Sequence, residues 1–284
     1  MNVLIIGGSR FIGPLIIEEL LRRNHDVTVF NRGLIRQEYP EGVRFIKGDR
    51  NYGFSLYEHF DTIVDTCAYR REDTLQVIKE LRFDFLVHLS TATVYKKSEI
   101  FPLTENSPLG GWPFWGEYNR GKVECEKILE ESGVPYASIR PVYILGPQNY
   151  IEREKFIYSR LLADKPLLLP GDGRAVIQFV HVRDIAEALV ALAEKKPEGA
   201  FNCASDETIT LKDLVEQMAR IAGRSPIIKY NPSADGKNFN ADEFPFANEN
   251  MVVSNEKIKG LGIEFAPLID VLRNDYKRYW QHAF

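Results

Sequence analysis

Along the first half of the chain, short unbroken apolar runs alternate with stretches in which apolar residues recur every three to four positions. Val3-Leu4-Ile5-Ile6, the 26–30 run Asp-Val-Thr-Val-Phe, and the runs at 62–68 and 85–90 are of the first kind. They are rich in β-branched residues and too continuous for a strand with one wet face, as expected of parallel strands covered on both sides. Residues 14–23, 71–81 and 117–130 are of the second kind and read as helices with one buried stripe. With further runs at 43–49 and 136–140, the alternation predicts an α/β chain built on a doubly wound parallel sheet.

The second half is less regular. Residues 148–165 place Phe156, Tyr158, Leu161 and Leu162 at helical spacing among charges, 176–182 returns as a strand, and Asp184 is expected to cap a helix running to about 195. Residues 200–204 read as a last sheet strand, and Thr210 as the cap of a helix over 211–222. The Pro-, Gly- and Trp-rich stretch 101–115 and the Asn/Asp/Pro-rich stretch 231–250 are expected to be loops.

Composition narrows this picture only modestly. With 284 residues, 44% apolar and 27% charged, the chain can bury a large core as an ordinary globular protein. A net charge of −4 supplies no general attraction for nucleic acid or an anionic membrane. The first residues enter a strand without a basic leader, and no run is long enough to span a bilayer, so the expected location is cytoplasmic. Cys67, Cys125 and Cys203 are widely spaced with no Cys-x-x-Cys pair, which predicts buried free thiols and no metal site.

The candidate chemistry begins where the first strand passes through Gly7-Gly8-Ser9-Arg10-Phe11-Ile12-Gly13 into a helix. A strand, a glycine turn and a helix N-terminus in that order make a nucleotide-binding βαβ unit of Rossmann type, the helix end facing a pyrophosphate. Ligands of such sheets sit at the carboxyl ends of the strands, so the glycine turn, Arg32, Asp49, Cys67, Ala68 and Thr91 are expected around one crevice. Asn31 and Arg50 belong to the same expected cofactor-binding set. The second strand ends in Asn31-Arg32, without the acidic residue that reads a ribose 2′-hydroxyl, and Arg10 lies nearby. Two guanidinium groups suit a 2′-phosphate, which favours NADP over NAD among NAD(P) cofactors. Tyr118 and Lys122 stand four residues apart on one helical face, where an ammonium favours the tyrosinate for acid/base work.

The glycine turn resembles the Gly-x-x-Gly-x-x-Gly loop of the short-chain dehydrogenase/reductase superfamily, with Gly8 and Phe11-Ile12-Gly13 similar to its extended epimerase/dehydratase branch and Arg10 at the central glycine position. Ser90-Thr91-Ala92-Thr93-Val94-Tyr95 followed by Tyr118-x-x-x-Lys122 resembles that family's catalytic Ser/Thr, Tyr and Lys. Arg140-Pro141, Gly146-Pro147, Gly171-Asp172-Gly173, the stretch from Phe179 to Asp184, and Phe201-Asn202 follow in family order. The resemblance implies hydride transfer with a nicotinamide cofactor: Tyr118 moves the substrate hydroxyl proton, Lys122 holds the nicotinamide ribose and lowers the Tyr118 pKa, and Thr91 hydrogen-bonds the reacting oxygen. It also implies that Tyr118, Lys122 and Pro141 join the cofactor-binding set, and it implies a dinucleotide-binding domain over 1–147 plus 176–205, a smaller substrate-binding lobe over 148–175 plus 206–284, and a homodimer through the Tyr/Lys helix.

Where sugar-nucleotide enzymes of the family carry an Asn and an Arg for the nucleotide diphosphate, this chain has Tyr143 and Ile177. Arg153, Lys155, Arg160, Arg174 and Arg183 are the candidates to bind a different anionic small-molecule substrate. The glycine turn and the stretch from Gln178 to Asp184 also resemble an atypical group that includes chloroplast stem-loop RNA-binding proteins. That implies a second expectation, a non-catalytic protein of the same fold that binds RNA or a partner. The acidic charge and the lack of a basic, aromatic-rich stripe count against nucleic acid.

Overall fold

Seven parallel strands form the spine of the computed structural model, which describes residues 1–35, 38–110, 116–234 and 239–283. They are β1 (Asn2–Ile6), β2 (Asp26–Asn31), β3 (Val43–Lys47), β4 (Thr62–Asp65), β5 (Leu86–Leu89), β6 (Tyr136–Pro141) and, late in the chain, β10 (Gly199–Cys203). Their order is β10-β6-β5-β4-β1-β2-β3, and β1 pairs with β2 on one side and β4 on the other. The sheet therefore reverses direction of growth at β1, which puts the crevice of a doubly wound fold at its carboxyl end.

The unbroken apolar runs divide by alternation. Val3 and Ile5, with Val27, Val29, Val64 and Val87, feed a core covered by α1 (Ile12–Arg22) and α5 (Val182–Lys195). Leu4 and Ile6, with Phe30, Ile63 and Leu86, feed the opposite core, which includes Val77 of α2 (Arg71–Glu80) and Leu129 of α3 (Gly116–Ser132). A two-residue side-chain period leaves no wet face when helices cover both sides.

Further strands stand apart from this sheet, among them β7 (Tyr143–Leu145), β8 (Leu167–Pro170), β9 (Val176–His181), β11 (Thr208–Thr210) and β12 (Ile228–Asn231), which pairs with β8. The 176–182 strand, β9, pairs in parallel with β7 and antiparallel with β11. Its Ile177 and Phe179 enter a third core with α4 (Arg153–Leu162) and α6 (Leu211–Ala222), while Val180 joins the first. β9 thus fastens the later part of the chain to the main sheet.

Several boundaries differ from the expected ones. α1 begins at Ile12 because Phe11, at φ +55°, turns the chain immediately before it. Asp184 is not the cap of α5: His181 precedes that helix, and the Asp184 carboxylate lies in its first turn accepting from the Ala266 N–H at 3.0 Å. Asp49 lies beyond β3 and caps a single helical turn, Arg50–Tyr52, by accepting from the Asn51 N–H at 3.0 Å. Thr210 does cap α6, accepting from the Asp213 N–H at 3.0 Å. All three cysteines are free thiols. Of the two expected loops, residues 111–115 and 235–238 lie outside the described residues. Among the described residues no helix is long and apolar enough to cross a membrane.

Candidate active site

The turn after β1 depends on its glycines. Gly7 and Gly8 take φ +99° and +73°, a region open to glycine without steric cost, and a Cβ on Gly7 would stand 2.4 Å from the Thr66 Oγ1. A Cβ on Gly13 would stand 2.4 Å from the Gly8 backbone, so the first turn of α1 rests directly on the glycine turn. The unpaired N–H groups of a helix start are thereby set at the crevice. Thr66 braces the arrangement, donating to the Ile6 carbonyl at 2.9 Å and accepting from the Gly8 N–H at 3.3 Å. Asn31 at the tip of β2 donates to the Gly7 carbonyl and the Tyr39 hydroxyl, each at 2.8 Å, and accepts from the Gly33 N–H at 2.9 Å. Its amide is spent on the turn. Arg32 beside it is exposed and makes no hydrogen bond or ion pair with a described residue.

These groups border a crevice of about 800 Å³, within the usual range of small-molecule sites. Gly7 through Gly13, Asn31, Arg32, Asp49, Arg50, Cys67, Thr91, Tyr118, Lys122 and Pro141 all line it, as expected. Ala68 does not: it is fully buried beneath the wall. Arg50 lines the crevice but is committed to the scaffold, donating to both Asp65 oxygens at 3.1 Å and to the Asp73 carbonyl at 2.6 Å. The Cys67 thiol is pushed up to about 12 by burial and the nearby Asp65 charge, which leaves it inert. Arg10 is not free either; its guanidinium stacks 4.6 Å from the centre of the Tyr150 ring, whose edge also meets Phe11. Tyr150 and Tyr69 were not foreseen as wall residues, and no motif marks them.

Thr91 follows β5 and caps a short helical turn, Ala92–Val94. Its hydroxyl meets that of Thr93 at 3.1 Å, and with Tyr118 it lines the crevice. Next to it, Ser90 donates to Glu126 of α3, and Glu126 is held by Arg140 of β6 through two Nε contacts of 3.0 Å and a shorter Nη2 contact. Arg140 continues to the Tyr95 hydroxyl at 2.9 Å, and Tyr95 donates to the Asn202 side chain at 2.6 Å. This buried polar chain fixes the end of β5 against α3.

The electrostatics depart from the expected pairing. Tyr118 is 41% exposed as a residue, yet desolvation of its phenol pushes it up, while the Thr91 side chain and the charge of Arg153 act in the opposite sense. Lys122 is fully buried and held below the usual ammonium range; its Nζ donates to the Leu89 carbonyl at 2.5 Å and sits 4.9 Å from the centre of the Tyr69 ring. Four-residue spacing set both groups on one face of α3, but the lysine stem carries its charge across to the end of β5. The cation whose charge acts on the phenol is instead Arg153. It lines the crevice, and its guanidinium lies 5.2 and 5.7 Å from the centres of the Tyr143 and Phe246 rings. Of the other basic candidates, Lys155 pairs with Glu152 at 2.8 Å, Arg174 lies 3.6 Å from Asp172, Arg160 stacks on Phe156, and Arg183 is exposed; none lines the crevice. Ile177 is buried in the third core. At the amino end of the sheet, His59, Asp61 and Asp84 bring potential metal-ligand atoms within 4.8 Å of one another, though His59 already pairs with Asp84 and Asp61 accepts from the Asn2 N–H.

A protein from Arabidopsis thaliana, chloroplast stem-loop binding protein of 41 kDa b, is 32% identical to this chain over 91% of it and 73% of the plant protein. Residues 71–204 match the family model described as the NAD dependent epimerase/dehydratase family. The chain belongs to that family. A further epimerase/dehydratase relative, UDP-glucose 4-epimerase of Corynebacterium glutamicum, is 24% identical over 78% of this chain and 81% of its own. Among solved structures, dTDP-glucose 4,6-dehydratase from Bacillus anthracis with NAD superposes with a TM-score of 0.77 at 20% identity, covering 98% of this chain and 97% of the other. UDP-glucose 4-epimerase of Thermus thermophilus with NAD gives 0.76 at 22% identity, with full coverage of both chains. Both establish that this epimerase/dehydratase family member has the Rossmann-type fold.

Proposed function

We propose that the protein catalyses hydride transfer at a hydroxyl or carbonyl carbon of a small, sugar-nucleotide-like substrate, with Tyr118 as acid and base and NADP favoured over NAD. The observation that carries this reading is the convergence of Thr91, Tyr118 and Lys122 on the crevice that also holds the glycine turn. The residues present fit a dinucleotide: close approach at Gly7 and Gly8, a helix start packed onto the turn at Gly13, and an Arg32 guanidinium with no partner among the described residues. Gly7, Gly8 and the first turn of α1 would hold the pyrophosphate, Arg32 a 2′-phosphate, and Lys122 the nicotinamide ribose. When bound, the nicotinamide supplies the hydride acceptor or donor.

The chain's own groups handle the proton. Tyr118, held protonated by its surroundings, donates to a carbonyl oxygen as that oxygen gains negative charge, and Thr91 orients the same oxygen through its hydroxyl. In the reverse direction Arg153 stabilises the tyrosinate that must accept the hydroxyl proton. On this reading 1–147 with 176–205 form the nucleotide half, 148–175 with 206–284 the substrate lobe, and the protein works in the cytoplasm as a homodimer.

Fluorescence titration with NADPH and NADH tests the cofactor assignment. NADPH is expected to bind more tightly, with the preference lost in Arg32→Ala; binding of neither nucleotide overturns the reading. In a screen of sugar and carbonyl substrates, Tyr118→Phe is expected to lower turnover by roughly a hundredfold or more. One observation favours non-catalytic RNA binding instead, the name of the Arabidopsis relative. Binding of a stem-loop RNA that weakens steeply with salt, in a preparation that binds no nucleotide cofactor, would bring that reading forward.

A further inference from the structure

Arg153 opens α4, is 8% exposed, and lines the crevice. None of its guanidinium N–H groups is hydrogen-bonded to a described residue, and its Nε is buried without a partner. Glu154 acts on the guanidinium by charge without a hydrogen bond, and the acidic side chains of this region bond other groups. Glu152 holds Lys155 at 2.8 Å, Glu154 accepts from the Gly146 N–H at 2.6 Å, and Glu249 holds Lys97 at 2.7 Å. What fixes the guanidinium is aromatic: Tyr143 and Phe246, themselves packed edge to face at 5.1 Å, present their rings to it. Contacts of that kind contribute about 1 to 2 kcal/mol, whereas burying a charge with no hydrogen-bonded counter-charge costs several. The fold thus keeps a cation oriented toward the crevice at a net cost in stability.

We propose that Arg153 is the anion receptor of the crevice, binding a phosphate or carboxylate group of the substrate against Tyr143 and Phe246, in the same crevice that Tyr118 lines. This rests on the reading of Tyr118 as the acid/base. A planar guanidinium fork takes two oxygens of such a group at once, and the rings already limit its freedom, so little order is lost on binding. The substrate class follows: a molecule that bears an oxyanion close to its reacting carbon. One that is neutral there is rejected, because it would leave the buried guanidinium unpaired.

Melting temperature titrated with inorganic phosphate, and separately with acetate, on the wild type, Arg153→Met and Arg153→Lys tests this. At least one anion is expected to stabilise the wild type saturably, with apparent affinity roughly tenfold to a hundredfold weaker in Arg153→Met and intermediate in Arg153→Lys. Phosphate alone identifies a phosphate ester, acetate alone a carboxylate. In anion-free buffer Arg153→Met is expected to melt no lower than the wild type, since it removes an unpaired buried charge, whereas a purely structural arginine would leave a less stable protein. Equal anion affinity in wild type and Arg153→Met, or no stabilisation of the wild type by either anion, overturns the proposal. A parallel NADPH titration separates the two readings: anion binding that depends on Arg153 in a protein blind to NADPH leaves this site standing and removes hydride transfer.

Discussion

Glu154 offers a test in which the magnitude follows from the structure. Its carboxyl is buried at the start of α4, accepts from the Gly146 N–H, and is pushed up from 4.5 to about 7 by burial, with Asp275 adding to the effect and Arg153 opposing it. Below 4.5 the group is protonated whether the chain is folded or not, and it contributes nothing to pH dependence. Between 4.5 and about 7 the unfolded chain releases the proton while the folded one keeps it, so stability falls as pH rises; above about 7 the full loss is present. At about 1.4 kcal/mol per pH unit, the interval from 4.5 to about 7 corresponds to roughly 3 kcal/mol. Glu154→Gln keeps an oxygen for the Gly146 N–H and removes the titration. Urea denaturation of both proteins from acid to mildly alkaline pH should show the stability of the variant relative to the wild type rising by roughly 3 kcal/mol across that interval. Other titrating groups cancel in the difference. A difference that stays constant with pH refutes the reasoning.

Two further outcomes can be checked with the same preparation. Gly13→Ala forces α1 away from the Gly8 backbone, where the new Cβ would stand at 2.4 Å, and is expected to destabilise by about 1 to 3 kcal/mol and to weaken NADPH binding more than tenfold with native circular dichroism; unchanged affinity contradicts the assigned pyrophosphate position. Tyr150→Ala frees Arg10 from a stacking contact worth about 0.5 to 1 kcal/mol, which should tighten nucleotide binding roughly two- to fivefold if that contact must part to admit the ligand. Weaker binding would show that the Tyr150 ring itself holds the nucleotide.

The backbone plan was legible because its signals are local. The run Val3 to Ile6 feeds alternate residues to two cores, and only a strand between two helix layers uses apolar residues that way. The glycine turn was equally readable, since Gly7, Gly8 and Gly13 each meet a neighbour that a side chain would strike. Side-chain direction was not. Spacing placed Lys122 near Tyr118, but a flexible four-carbon stem reaches whichever acceptor is nearest, and the Leu89 carbonyl lies in its path. Arg153 was among five basic candidates, and nothing local separated it from its neighbours; burial against Tyr143 and Phe246, residues distant in sequence from each other, singles it out. The same limit explains Arg50, whose commitment to Asp65 joins two strand ends, and Asp184, drawn from its expected capping role by the Ala266 amide.

The buried chain through Ser90, Glu126, Arg140, Tyr95 and Asn202 bears on how the crevice moves. Thr91 follows Ser90 directly, and Tyr118 lies about two turns before Glu126 on α3. The hydroxyl and the phenol are therefore both anchored to one guanidinium, that of Arg140. Reaction rates respond to the relative position of two such groups, where about 1 Å of error can cost about a hundredfold, and not to a displacement they share. Any displacement that leaves these hydrogen bonds intact must carry the end of β5 and α3 together, so the wall shifts as one piece and the separation of Thr91 from Tyr118 is conserved.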